Sequence, residues 1–242
     1  MAIIILVRPQ MGENIGSSAR VMLNFGLHQL RIVAPRDEWP NERALVMSAG
    51  AKSVIEGAVI YATLKDALHD CQFAFAATAR LRGMDIACYS PRDAVIEAQQ
   101  TGQAAFVFGA ENNGLSNDEV SHCHALLNIP TGDYASLNLA QSVGIVAYEW
   151  FVKQSSDDIP QPNRQPIHGL TPQGERERFL RHLEIANHES IMELQQVICQ
   201  KLERDNYFAN PQMRPSLEQK LLQMLLRFNL REQEVNFLRG MF

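Results

Sequence analysis

The 242-residue sequence has no C-x-x-C cysteine pair, no apolar run long enough to cross a bilayer and no excess of positive charge. Its four cysteines, Cys71, Cys88, Cys123 and Cys199, are scattered along the chain. That spacing argues against a zinc ribbon or a disulfide framework and suits a reducing, cytoplasmic compartment. The longest apolar run, Ala2 to Val7, ends at Arg8 and Pro9, whereas a membrane span needs roughly 20 residues. It lacks a basic flank and a small-residue cleavage site, so neither a membrane anchor nor a signal peptide is expected. The formal net charge is −5, so any nucleic-acid contact has to be a local basic patch on an acidic body. Phosphate-loop and dinucleotide fingerprints are also missing. Gly109 and Gly114 have the spacing of a phosphate loop, but Leu115-Ser116 stand where Lys-Ser/Thr is required, and no G-x-G-x-x-G follows the first strand. His122-Cys123-His124 looks like a metal tract, yet neighbours on a strand point to opposite faces, so no metal site is expected.

What is present is ample apolar material, 46% of residues, arranged as short runs alternating with helical patterns. The runs Ile3–Val7, Leu30–Ala34, Val59–Tyr61, Phe73–Ala77, Ala105–Phe108 and Leu126–Ile129 read as strands. Most are continuously apolar, as in a parallel sheet covered on both faces. Helices fit between them. Ile15–Phe25 ends at a glycine suited to a left-handed cap, Thr63 and Ser116 open helices with acidic residues three positions on, and Pro91 follows Ser90 at a first helical position. Apolar residues recur at helical spacing from Ser136 to Lys153. The alternation predicts an α/β domain over residues 1–154. A proline-rich linker over 155–174, with Pro160, Pro162, Pro166 and Pro172, leads to a small helical domain over 175–242. That last part is too small for much of a core of its own and is expected to pack on the first domain or on a second subunit. Its end, 212–242, carries five basic residues against three acidic ones.

Three segments place glycine and polar residues after strands, where open α/β sheets bind ligands: Gly12–Arg20, Phe106–Ser116 and Ile129–Leu139. Taken singly, each reads equally well as a turn. Ser136 has no evident His/Asp partner in the sequence, although His122 and His124 could come near it in space.

Within these segments, N-I-G-S-S-A-R (Asn14–Arg20), F-G-A-E-N-N-G-L (Phe108–Leu115) and I-P-x4-A-S-L-N-L-A (Ile129–Ala140) resemble the three ordered motifs of the SPOUT superfamily of RNA methyltransferases. The branch resembled is the TrmH/SpoU-type 2′-O-ribose methyltransferases, and the likeness covers roughly residues 1–153. E-R-F-L-R-H-L-E (Glu177–Glu184) and E-V-N-F-L-R-G-M (Glu234–Met241) are similar to the helical extension of a branch that methylates the ribose of nucleotide 32 in the tRNA anticodon loop.

The resemblance implies a parallel sheet with a deep C-terminal trefoil knot, a small α-helical C-terminal extension, a homodimer, no metal, and S-adenosyl-L-methionine as cofactor. It assigns the cofactor to Ala77, Thr78, Ala79, Gly109, Glu111, Gly114, Ile129, Ala135, Ser136, Leu137 and Asn138. Arg20, supported by Asn14 and with Ser136 nearby, is placed at the reacting 2′-hydroxyl. An arginine stays charged to a pH of about 12 or above, so a phosphate clamp is chemically easier to defend for Arg20 than an unaided general base. In the family this arginine serves the cofactor site of the other subunit. Tyr134, Arg227 and Arg231 are the expected RNA contacts, and tRNA the expected partner. Methylation of rRNA or of another tRNA position, and an inactive RNA-binding protein of the same fold, stay open as alternatives.

Overall fold

Every residue of the first strand is buried, and the sheet's position between two helical layers is the reason. The computed structural model describes residues 1–79, 86–156, 185–205, 207 and 214–242. Among these residues, seven strands form one parallel sheet: β1 (Ala2–Val7), β2 (Gln29–Val33), β3 (Val59–Tyr61), β4 (Phe73–Ala77), β5 (Cys88–Tyr89), β6 (Ala104–Phe108) and β7 (Ala125–Leu127). Their order is β3-β2-β1-β6-β4-β7-β5, with β1 paired to β2 on one side and β6 on the other. The helices are α1 (Gly12–Asn24), α2 (Glu42–Met47), α3 (Lys52–Glu56), α4 (Leu64–Leu68), α5 (Pro91–Gln100), α6 (Asn117–Ser121) and α7 (Leu139–Ser156). After them come α8 (His188–Arg204), α9 (Arg214–Arg227) and α10 (Glu232–Met241).

Successive strand residues face opposite layers. Ile4 and Leu6 join a core with α1, α3, α5 and α7, while Ile3, Ile5 and Val7 join another with α4 and the α6 region. Each fully buried Ile or Leu contributes about 1.5–3 kcal/mol of apolar transfer. Arg31 is the exception in β2. It points into the α4 side and is answered by a bidentate pair with Asp70, at 2.6 and 2.8 Å, and by the Ala67 carbonyl.

The sequence signals for helix ends hold. Thr63, Ser90 and Ser116 accept from the third backbone N–H of their helices, and Gly26 takes φ +72° beyond α1. Leu27 N–H bonds to Met22 O and Gly26 N–H to Leu23 O, the paired bonds of a glycine-terminated helix. Two expected boundaries shift. Helix α7 starts at Leu139 rather than Ser136, because Asn138 caps it. Strand β7 ends at Leu127, leaving Ile129 in the following loop. The short α2 and α3 and the two-residue β5 carry no periodic stripe that sequence reading could detect.

Of the expected linker only 155 and 156 lie within the described residues, at the end of α7, and Glu177–Glu184 falls outside them. Helices α8 to α10 do enclose a small core of their own, built on Ile191, Leu194, Leu222, Leu225, Leu226 and Val235. They also dock on the α4–α6 side of the sheet. His188 N–H donates to Cys71 O at 2.8 Å, the His188 ring pairs with His122 O at 2.8 Å, and Gln223 donates to Ser121 O. His122, His124 and His188 thus meet at the seam, with ring centroids 6.0–6.2 Å apart. Their proximity serves docking and does not bring a base to Ser136. Among the described residues no cluster of ligands could hold a metal ion.

Burial pushes His188 down to about 4 and His124 to about 3, so both are neutral in the folded protein at pH 7. An unfolded histidine titrates near 6.5, so this contribution is full above that pH and is lost as pH falls toward 4. Denaturant unfolding at pH 7 and pH 4.5 is therefore expected to show a loss of about 1–3 kcal/mol at the lower pH. His188→Gln, which keeps a donor for His122 O but takes up no proton, should lose less.

Glycine at position 16 is required by α2. An added Cβ would lie 2.3 Å from Ala44 O and 2.8 Å from Met47 Cβ. On an exposed helix Gly→Ala stabilises by ~0.5–1 kcal/mol. Gly16→Ala is expected to reverse that sign and cost about 1–3 kcal/mol in urea unfolding, because α1 and α2 must separate.

Candidate active site

At the carboxyl ends of β4, β6 and β7 the chain opens into a cleft of about 370 Å³. Parallel strands leave their ligand-facing loops on that edge. Three loops line it. The end of β4 supplies Ala77, Thr78 and Ala79, the turn after β6 supplies Phe108 to Leu115, and the segment before α7 supplies Ala135, Ser136 and Leu137. Leu127, Ile129, Leu139 and Ser142 complete the wall.

The turn after β6 is tightly folded. Gly114 N–H bonds to Ala110 O at 2.7 Å, and Gly114 sits at φ +65°. A Cβ on Gly109 would lie 2.2 Å from the Gly114 carbonyl carbon and 2.3 Å from Leu115 N, so the turn can fold back only over a glycine. Thr78 is braced from β7: its N–H donates to Leu127 O, and Asn128 Nδ2 donates to its carbonyl at 3.0 Å.

One hydrogen-bond relay ties the turn after β6 and the segment before α7 to each other through the β1–α1 segment. Glu111 accepts from Asn14 Nδ2 at 2.7 Å and from Gln10 N–H at 2.8 Å. Asn14 Oδ1 in turn accepts from Asn138 Nδ2 at 2.9 Å. Asn138 Oδ1 then accepts from Ala140 N–H at 2.9 Å and so caps α7. Behind the turn, Glu119 receives Arg8 Nε and Nη2, each at 2.8 Å, and the Ser116 N–H at 2.6 Å. Burial alone would raise the Glu119 carboxyl, but the bonds from Arg8 and Ser116 outweigh it and hold it below its ordinary value.

The structure therefore gathers Ala77, Thr78, Ala79, Gly109, Glu111, Gly114, Ile129, Ala135, Ser136 and Leu137 around one cleft. Asn138 and Asn14 do not line it; their side chains serve the relay. Arg20 is exposed on α1 and does not line the cleft of its own chain. Tyr134 is 81% exposed on the loop before α7. Arg227 and Arg231 lie on the C-terminal helices, the first exposed near the end of α9, the second at the N-cap of α10.

Sequence reading missed Asn112, Asn113, Phe108 and Ser142 in the lining, and Arg8, Gln10, Asn128 and Glu119 in the support. The last four act through contacts of two kinds. Arg8–Glu119 and Gln10–Glu111 join residues more than 100 positions apart, and Asn128 bonds a main-chain atom. Only the placement of Arg8, a charge directly ending an apolar strand, hinted at any of this.

A second, apolar groove runs between α1 and α7, lined by Val21, Phe25, Ala140, Gly144, Ile145 and Tyr148. Leu137 borders both the groove and the cleft.

Comparison with known proteins agrees with this geometry. The model of the SpoU rRNA Methylase family matches residues 1–148. The chain is 34% identical to the tRNA (cytidine/uridine-2′-O-)-methyltransferase TrmJ of Pectobacterium atrosepticum, over 98% of this chain and 93% of that one. An uncharacterized tRNA/rRNA methyltransferase of Haemophilus influenzae is 38% identical over 60% of this chain, a match that spans 61% of that relative's length. The crystal structure of TrmJ from Z. mobilis ZM4 superposes with a TM-score of 0.82 at 33% identity, covering 100% of this chain and 97% of that one. The chain belongs to the SpoU methylase family.

Replacing Asn138 separates its two duties. Asn138→Ala removes both the α7 cap and the bond to Asn14 and is expected to cost about 1–2 kcal/mol in denaturant unfolding. Asn138→Asp keeps the cap acceptor and loses only the donor, so it should recover most of that loss.

Proposed function

We propose that this member of the SpoU methylase family transfers a methyl group from S-adenosyl-L-methionine to a ribose 2′-hydroxyl in tRNA, at a cytidine or uridine of the anticodon loop, position 32. The observation that carries the reading is the cleft at the ends of β4, β6 and β7, lined by the second and third motif segments together with the end of β4, and backed by Asn14 of the first motif. Its size and lining suit the cofactor. Aliphatic Leu127, Ile129 and Leu137 offer an apolar slot for an adenine ring, and the Gly109–Gly114 turn allows close backbone approach. Ala77, Thr78, Ala79, Gly109, Glu111, Gly114, Ile129, Ala135, Ser136 and Leu137 are the residues that would hold it, with Asn138 and Asn14 fixing the loops. When bound, the cofactor supplies an electrophilic methyl group on a sulfonium.

The chain's own part is positioning. Arg20 would clamp a phosphate and favour the developing alkoxide, because its fixed fork of donors suits phosphate oxygens. Ser136, exposed at the cleft's edge, offers a polar group beside the transfer. Tyr134 is available to stack on an unpaired base, and Arg227 and Arg231 would hold the tRNA body.

The reading includes a homodimer seated on the α1–α7 groove. Arg20 adjoins Val21 in that groove, and Leu137 links groove and cleft. A second copy there would bring Arg20 of the partner subunit to the cleft's rim, in keeping with its absence from the lining of its own cleft. The trefoil knot belongs to the same reading, supported by the insertion of β7 between β4 and β5. A cytoplasmic location belongs to the same reading. No helix among the described residues is long and apolar enough to cross a membrane.

The test is methylation of tRNA transcripts with labelled cofactor, followed by mapping of the mark. One 2′-O-methyl group at nucleotide 32 is expected. Incorporation into rRNA fragments alone would move the substrate, and no incorporation into any RNA would point to an inactive binding protein. Arg20→Ala should lower turnover by about 100-fold or more while leaving S-adenosylhomocysteine affinity within about twofold. Arg20→Lys should rescue poorly, since a point charge does not reproduce the fork.

A further inference from the structure

The segment joining β1 to α1 runs alongside the turn after β6 and grips it at two places. The inner grip is Glu111 with Gln10 and Asn14. The outer grip is Arg8. This residue leaves β1 with φ +51°, a left-handed conformation that a non-glycine residue adopts only at a cost. Its backbone is nevertheless fully answered: the N–H donates to Val33 O at 2.8 Å, and the carbonyl accepts from Gln10 Nε2 at 2.9 Å. The reversal of direction turns the Arg8 side chain toward the β6–α6 connection.

There the guanidinium meets Glu119 through two nitrogens, each at 2.8 Å. Nη2 also approaches the carbonyl of Gly114 at 3.4 Å. Glu119 is committed from the other side, since Oε2 accepts the Ser116 N–H in the capping box of α6. Glu119 is mostly buried, with 15% of its side chain exposed, whereas Arg8 is 39% exposed. The pair thus closes the far end of the turn whose near end is closed by Glu111. Gly109, Glu111 and Gly114 line the cleft between these two grips.

We infer that Arg8 and Glu119 form a positioning pair for the methyl-donor pocket, setting the shape of the Gly109–Leu115 turn and through it the affinity for the cofactor. Neither residue lines the cleft, so neither is a catalytic residue. The inference rests on the reading of the cleft as the S-adenosylmethionine site. Bidentate contact between a planar fork and a carboxylate fixes orientation as well as distance, which a single point charge does not do. Because α1 carries Arg20 and leaves β1 through Arg8, the same segment links the donor pocket to the helix that presents the RNA-side arginine.

The test measures S-adenosylhomocysteine binding by calorimetry and steady-state kinetics on the full chain. Arg8→Gln is expected to weaken S-adenosylhomocysteine about tenfold and to raise KM for the cofactor by a similar factor. KM for tRNA and kcat at saturating cofactor should change by less than about threefold. Arg8→Lys, which meets one carboxylate oxygen and not two, should fall between wild type and Arg8→Gln. Glu119→Gln should weaken binding as Arg8→Gln does, and the double variant should lose little more than either alone, since both break one contact. A lower unfolding midpoint with unchanged cofactor affinity in Arg8→Gln would overturn the inference and leave the pair with a purely structural role. If Arg8→Gln fails to fold, Arg8→Lys decides, and wild-type affinity in that variant overturns the inference too. Absence of S-adenosylhomocysteine binding in the wild-type protein would instead overturn the reading of the cleft, and this inference with it.

Discussion

The carboxylate of Glu111 is the constraint on which the arrangement of the site depends. It stands on the turn after β6, yet its donors come from the segment after β1, and Asn14 passes the connection on to Asn138 ahead of α7. The β6 turn and the segment before α7, two walls of the cleft that share no strand, are thereby held to each other through the β1–α1 segment. Hydrogen bonds to a charged group contribute about 1.5–3 kcal/mol each, and a carboxylate left without donors costs more than the bonds it would have made. An isolated turn such as Gly109–Leu115 has no apolar core of its own, so its shape has to be imposed from outside. The relay imposes it on the inner side, and the Arg8–Glu119 pair on the outer side.

The helical C-terminal part stands apart from this wall. It docks on the face of the sheet formed by α4 and α6, through His188, Gln219 and Gln223. The apolar groove is on the α1–α7 side, in the other helical layer. The molecule therefore keeps its two helical layers for different purposes. One carries the appended helices. The other, in the proposed dimer, carries the second copy and brings its Arg20 toward the cleft. Charge does less for the C-terminal helices than their composition suggested, since Arg214 pairs with Glu203 and Glu218, and Arg239 with Glu193. Phe228, just after α9, and Phe237 on α10 are exposed.

Much of the fold was legible because its causes are local. Continuous apolar runs signalled strands covered on both faces, and Ile3 to Val7 do alternate between two cores. Ser-x-x-Glu at 116–119 and glycine at 26 marked helix ends that the structure reproduces. Much of the lining of the cleft was legible through the second and third motifs, whereas Asn138, assigned to the cofactor, and Asn14, assigned to the reaction beside Arg20, place their side chains in the relay behind it. What stayed hidden depends on distance along the chain. Arg8 finds Glu119 111 residues away, and Arg31 finds Asp70 39 residues away, pairings that periodicity does not encode. The start of α7 was misplaced for a related reason. Ser136 and Leu137 continue the helical pattern but are claimed by the cleft, and Asn138 caps the helix after them.

The relay is tested most directly at Asn14, which bonds to Glu111 and Asn138 without lining the cleft. Calorimetric titration of the wild-type chain with S-adenosylhomocysteine should show one site per chain. In Asn14→Ala the affinity should fall about tenfold, although no group that touches the ligand has been removed. Wild-type affinity in Asn14→Ala would contradict the account, because the wall of the cleft would then keep its shape without the bonds held to impose it.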